Sequence, residues 1–306
     1  MGETRTVINW GDDLYPSRLK ELESPPETLY VRGDVSALGK GGLSIIGARR
    51  ATPYGLTVAE MAGRIAAECG LVVISGGAMG CDAAALRGAQ KAGGETVVIP
   101  GSGADWVYPA SSRDVFDHAA SISGCVVSIE GWNTPPQKHT FPKRNRLIAA
   151  LCDALLVAEA GERTGTSSTA DVAVTLGRRI YAIPGSIFSP ESAGANKLIA
   201  SGAAIISSEE DLEMQISLDF GVIRLMSQGH SRSAGRVMSA LVANPMRPDD
   251  LANHLGLEPL EMFRILADYE ASGVVQRLFD GRYAPSRDAL LGKVSLEVRG
   301  EGAMSL

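Results

Sequence analysis

Three segments hold the residues whose types and spacing could do chemistry. The first, GARRATPYG at 47 to 55, follows an apolar run and sets Gly47, Arg49 and Arg50 ahead of Thr52 and Pro53. A strand, a glycine and then a helix with unpaired first amides is a geometry that holds anionic oxygens, and an arginine fork fits a phosphate. The plainer alternative is a pair of surface arginines at an ordinary strand-to-helix turn. Thr52 with Pro53 suits a helix start under both readings. The second segment, SGGAMGCD at 75 to 82, follows the next apolar run and contains Ser75, Gly76 and Gly77. Such a turn lets backbone amides approach a ligand without obstruction, although tight strand-to-helix packing asks for the same glycines. Its spacing is GGxxG rather than GxGxxG, and no ribose-binding acid stands at the usual place, which argues against a nicotinamide enzyme.

The third segment, KHTFPKRNR at 138 to 146, places Lys138, Lys143, Arg144 and Arg146 within one short stretch, with no acid between 131 and 152. The whole chain has a net charge of −6, so this is a local positive patch on an acidic protein. A solvated charge run is the bland account. Phe141 and Asn145 inside the cluster supply what base stacking and base-edge hydrogen bonding require. A further turn, EAGERTGTSS at 159 to 168, brings Arg163, Thr164 and Gly165 to a helix start, where hydroxyls either cap the helix or bind phosphate. The PGS turn at 184 to 186 is expected to shape a rim. Asp82, Glu130 and Glu159 stand near strand ends, but no activated serine, metal set or His/Cys/Asp cluster converges with them in sequence. The four histidines lie far apart. No catalytic residues, metal or cofactor are expected.

The elements that must position these segments are legible as alternation. Apolar runs of strand length recur at 43 to 47, 71 to 75, 96 to 100, 125 to 129, 154 to 158, 179 to 184 and 203 to 207, with helical patterns between them. Continuous apolar strands separated by helices predict an α/β fold, a Rossmann-like, doubly wound and mostly parallel sheet covered on both faces. Residues 1 to 40 show little periodicity and are expected to form an N-terminal extension packing on a core of 41 to 219. A polar stretch at 220 to 235 reads as a linker. Residues 236 to 290 show three short helical patterns and a strand pair around Asp280 and Gly281, which suggests a small winged-helix domain. Its third helix carries Glu258, Glu261, Asp268 and Glu270 against Arg264 alone, so a protein contact is expected there rather than a phosphate surface. The tail, 291 to 306, has no strong pattern.

With 306 residues, 45% hydrophobic and 21% charged, the chain can bury a sizeable core. It shows no signal-like start and no apolar run of about 18 residues. Four cysteines without ligand spacing suit buried thiols in a reducing compartment. A cytoplasmic protein without a membrane segment is expected.

Taken together, GARRATPYG, SGGAMGCDAAA, GSGADWVYP, FPKRNRLIAAL, VAEAGERTGT and AIPGS resemble, in order and spacing, the DprA/Smf family of bacterial DNA-processing proteins. The resemblance covers about 15 to 211, and FPxRNR is its most specific piece. It implies an extended Rossmann fold that binds single-stranded DNA, dimerises and loads the RecA recombinase in natural transformation or recombination, with no known enzymatic activity. Carried onto matching positions, it implies DNA contacts from Arg49, from Ser75 to Gly77, and from Lys138, Phe141, Arg144 and Asn145, with Phe141 stacking on a base. The chain departs from the family's SGxARGID pattern at Met79, Cys81 and Leu86, and from its serine before the turn arginine at Ala48. Weaker binding by the second turn is the expected result. Two other classes compete. One is a nucleotide phosphoribohydrolase of the lysine-decarboxylase-like group, supported by Thr164, Gly165 and Thr166 and the general architecture. The other is a regulator that binds duplex DNA through the winged unit.

Overall fold

A computed structural model describes residues 4–162, 165–222, 237, 238, 240–242, 244–286 and 289. The chain divides into two compact units, residues 1–226 and 227–306. The first is built on a nine-stranded sheet. Its strands are β1 (Arg5–Asn9), β2 (Thr28–Gly33), β3 (Gly42–Ile46), β4 (Val72–Ser75), β5 (Thr96–Val98), β6 (Gly124–Ser128), β7 (Ala154–Val157), β8 (Arg179–Ala182) and β9 (Ala204–Ile205). They lie in the order β1-β2-β6-β5-β4-β3-β7-β8-β9. From β6 to β9 every neighbouring pair is parallel, as the apolar runs predict.

The segment expected to cap the core enters the sheet instead. β1 and β2 pair antiparallel with each other, and β2 pairs antiparallel with β6. Leu19, Leu29 and Val31 are fully buried in one of the two main apolar layers. The strands are five and six residues long and are separated by prolines and a 3-10 turn, so their alternation is too brief to stand out in sequence.

Side-chain alternation along the strands sends residues to two faces. Leu43, Ile45, Val73, Val98, Val126 and Leu156 meet α1 (Pro53–Glu68), α2 (Cys81–Lys91), α3 (Arg113–Ser121) and α7 (Glu209–Phe220). Ile46, Ile74, Val97, Val127, Leu155 and Val157 meet α4 (Thr140–Leu151), α5 (Gly165–Thr175) and α6 (Ala193–Ala200) on the other. α1 and α2 touch so closely that a Cβ on Gly63 or Gly88 would run into the facing backbone carbonyl of Ala85 or Glu60. All four cysteines are buried and free, and burial pushes the Cys81 thiol up to about 12, leaving it unreactive.

The second unit has its own core of Leu251, Leu255, Met262, Leu266, Val275 and Tyr283. It comprises α8 (Pro248–Leu255), α9 (Pro259–Ala271) and the antiparallel pair β10 (Val275–Arg277) and β11 (Tyr283–Pro285). Gly281 turns that pair with φ +83°. Of the helix expected before α8, residues 237, 238 and 240–242 are described and helical. Most of the expected linker and all of the tail lie outside the described residues. Among the described residues, no helix is long and apolar enough to cross a membrane.

Candidate nucleic-acid interface

In a parallel sheet each connecting helix returns antiparallel to the strands, so helix starts gather at the strands' carboxyl edge. Strand order reverses between β3, whose successors run one way through β4, and β7, whose successors run the other. Ligands of open α/β sheets bind at such a switch point. Here it holds a groove of about 870 Å³, walled by Gly47, Arg49 and Arg50 after β3, Arg144 and Asn145 on α4, and Gly165 at the start of α5. Six of the sequence-predicted residues thus share one cleft.

The β3 turn sets its arginine side chains outward, and its backbone departs from the anion cradle expected of it. Arg49 and Arg50 are exposed. The amides at the start of α1, however, do not face the groove as a free anion cradle. Thr52 caps Gly55 through its hydroxyl at 3.1 Å, and the buried Glu159 carboxylate accepts from Thr52 N at 2.8 Å and Thr52 Oγ1 at 2.5 Å. A carboxylate of the protein already occupies the place where the helix dipole would favour a phosphate. What this turn offers a ligand is charge from its two arginines.

The β4 turn differs more. Ser75 is fully buried and its hydroxyl donates to the Ile45 carbonyl at 2.6 Å, so it is spent inside the fold rather than presented as a contact. Gly76 and Gly77 are buried as well. A Cβ on Gly76 would overlap the Arg144 guanidinium, which makes this glycine the space in which Arg144 lies. Arg144 is 4% exposed and pairs with buried Asp82, Nη1 to Oδ2 at 3.6 Å, while its Nε has no hydrogen-bond partner among the described residues. Burial pushes the Asp82 carboxyl above the usual range, opposed by Arg144 and Arg49. An isolated ionised group would be costly here, so the pair holds the wall of the groove together.

The basic segment begins α4 and splits by position. Lys138 and Lys143 are exposed, Asn145 is half-buried with Nδ2 donating to the Gly165 carbonyl at 3.4 Å, and Arg144 points inward. Phe141 is half-buried, edged against Gly101, with the Arg49 guanidinium 4.8 Å above its ring and Tyr108 at 6.4 Å between centroids. The ring therefore carries an arginine where a free stacking face was expected. Arg163 and Thr164 lie outside the described residues. The lower wall includes Thr166, Thr169 and, from the loop after β8, Pro190 and Glu191. Sequence reading gave that loop a rim role through PGS alone. No group of three or more His, Cys, Asp or Glu side chains able to hold a metal occurs among the described residues.

Fold and site define a doubly wound, Rossmann-like protein with an arginine-bearing groove at its switch point. The chain belongs to the DNA recombination-mediator protein A family, whose model matches residues 6–217. It is 36% identical over 199 residues to the DNA processing protein DprA of Bacillus subtilis, a match spanning 65% of this chain and 67% of that one. Against DprA of Streptococcus pneumoniae it is 36% identical over 201 residues, 66% of this chain and 71% of the relative. The X-ray structure of the pneumococcal protein superposes with a TM-score of 0.65 at 34% identity, covering 68% and 73% of the two chains. DNA processing protein A from Helicobacter pylori, whose structure is described for its single-stranded DNA binding mode, superposes with a TM-score of 0.63 at 28% identity, covering 70% and 96%.

Proposed function

We propose that this chain is a cytoplasmic, non-enzymatic recombination mediator that binds single-stranded DNA along the switch-point groove, acts as a homodimer, and loads the RecA recombinase onto the strand. The observation that carries the reading is the exposed pair Arg49 and Arg50 at the mouth of the groove, with Arg49 seated on Phe141, in a chain of net charge −6. Phosphates lie against Arg49, Arg50, Lys138 and Lys143, exposed cations of the β3 turn and of the segment that enters α4. Asn145 and Gly165 border the path, and Arg163 and Thr164 remain DNA contacts assigned from the sequence alone. Gly47, Ser75, Gly76, Gly77 and Arg144 act beneath it by shaping the wall. Family membership and the single-stranded DNA binding described for the Helicobacter relative support the same assignment. The second unit, read as a winged helix, takes a protein partner, because exposed Leu260 and Phe263 share α9 with the acidic residues.

The test is a titration of labelled oligo-dT at several salt concentrations with the full chain and with its Arg49→Ala/Arg50→Ala form. Each phosphate neutralised on a single strand contributes about 0.7 to the slope of log affinity against log salt, so losing two contacts lowers the slope by roughly 1.4. Unchanged affinity and slope in the double variant would remove the groove from the reading. Adenine released from AMP at enzymatic rates would replace it with the phosphoribohydrolase reading.

A further inference from the structure

The loop between β8 and α6 carries two side chains that the fold does nothing to cover. Ile187 is 84% exposed and Phe188 is 90% exposed, side by side, the two most exposed large apolar side chains among the described residues of the first unit. Scattered apolar residues on a surface need no account, but an adjacent pair on a fixed turn beside a polar groove does.

The turn is anchored where it leaves β8. Tyr54 donates its hydroxyl to the Pro184 carbonyl at 2.7 Å, tying the loop to the start of α1. Asn196 on α6 clasps Gly185, accepting from its N–H at 3.1 Å and donating to its carbonyl at 3.0 Å. Within the tip, Phe188 N donates to Ser186 Oγ at 3.2 Å and Ser189 N to the Ser186 carbonyl at 3.1 Å. Two residues after Phe188 the chain reaches Pro190 and Glu191, which wall the groove. The apolar tip is therefore held at the groove's rim, on the side of β8, across the switch point from the β5 loop, whose Gly101 backs Phe141.

We propose that Phe188, with Ile187 beside it, is a base-stacking platform for the strand whose phosphates occupy the groove. The inference rests on the single-stranded DNA reading above and adds a second contact to it. When phosphates face a cationic cleft, the bases of an unpaired strand turn outward, and the surfaces they meet are those at the rim. A base has a π face whatever its identity, so an exposed aromatic ring there binds without reading sequence. The backbone that carries the ring is held before the strand arrives, which lowers the ordering cost of presenting it. The cation-bearing wall and this rim together give the strand a backbone track with an apolar shelf along one side.

The experiment compares the full chain with Phe188→Ala and Phe188→Trp, titrated with labelled oligo-dT and with an oligonucleotide of the same length in which the bases are replaced by abasic sites. Phe188→Ala is expected to weaken oligo-dT binding by about five-fold or more at every salt concentration, with an unchanged salt slope, because stacking neutralises no phosphate. On the abasic strand the two proteins should bind alike, and Phe188→Trp should bind oligo-dT at least as well as the parent. The exposed position makes a folding defect easy to exclude by thermal unfolding. Oligo-dT affinity unaltered by Phe188→Ala would overturn the proposal, as would an equal loss on the abasic strand. A loss of self-association in place of DNA affinity would also overturn it, assigning the tip to a second copy of the chain. Failure here with the Arg49/Arg50 slope change intact leaves the groove assignment standing; loss of both removes it.

Discussion

The turns after β3 and β4 invite the same reading and do different work. Each leads from a buried strand through glycine into a helix, and each has the makings of an anion cradle. After β3, the backbone is already satisfied by Glu159 and the Thr52 cap, while Arg49 and Arg50 stand out into the groove. After β4, Ser75 is turned inward and Gly76 makes room for Arg144. Glycine spacing reports that something approaches the backbone closely. It does not say whether the visitor is a ligand or a side chain of the same protein. The arginines of the first turn, absent from the second, mark which of the two presents charge outward.

The sharpest way to break this contrast is at the second turn. Arg144→Met should leave buried Asp82 without its paired counter-charge and destabilise the fold by about 3–5 kcal/mol, read as a lower urea midpoint at unchanged slope. An unaltered midpoint would mean that the β4 turn does not depend on the arginine lodged in it. At the first turn the effect is smaller. Glu159→Ala should cost about 1–3 kcal/mol by leaving the Thr52 donors unpaired. It should also free the start of α1 for an anion, so added inorganic phosphate should raise the thermal midpoint of the variant more than that of the parent. Equal gains would show that Glu159 is not the group filling that place.

Much of this architecture was legible because it is written locally. The strand-length apolar runs and the helices between them appear in the structure within a few residues of their expected positions, and the groove gathers Gly47, Arg49, Arg50, Arg144, Asn145 and Gly165 as the switch-point rule implies. What escaped was set by partners distant in the chain. Glu159 stood out only as an acid near a strand end, since Thr52 lies 107 positions away. Arg144 counted as one more cation in a basic run until Gly76 and Asp82 came beside it. Periodicity within α4 could have separated inward Arg144 from outward Lys143, because residues 144, 147, 148 and 151 are buried together on one side. The strands β1 and β2 were missed because five or six residues between turns carry too little pattern to distinguish the end of a sheet from a cap.

α2 offers a finer version of the contrast, because two of its ion pairs lie in opposite surroundings. Asp82 with Arg144 is almost wholly buried, with side-chain exposures of 9% and 5%; Arg87 of the same helix pairs with Asp114 at 2.6 Å, with exposures of 38% and 55%. Burial raises the Asp82 carboxyl above its ordinary range, whereas the hydrogen bond from Arg87 lowers that of Asp114. The signs of their contributions to stability are therefore opposite. For Asp82 the folded state holds its proton at pH values where the unfolded chain has lost it, so its contribution falls as pH rises from the ordinary carboxylate pKa through the raised one. For Asp114 the unfolded chain binds the proton first, so its contribution is present above the ordinary pKa and lost as pH falls through the lowered one. Denaturant midpoints followed from acid to neutral pH should lose their downward component in Asp82→Asn and their acid-side rise in Asp114→Asn. The second change should be the smaller, because solvent screens an exposed pair. Profiles that move in the same direction in both variants would mean that the wall of the groove is wet, and that Arg144 is as open to solvent as Arg87.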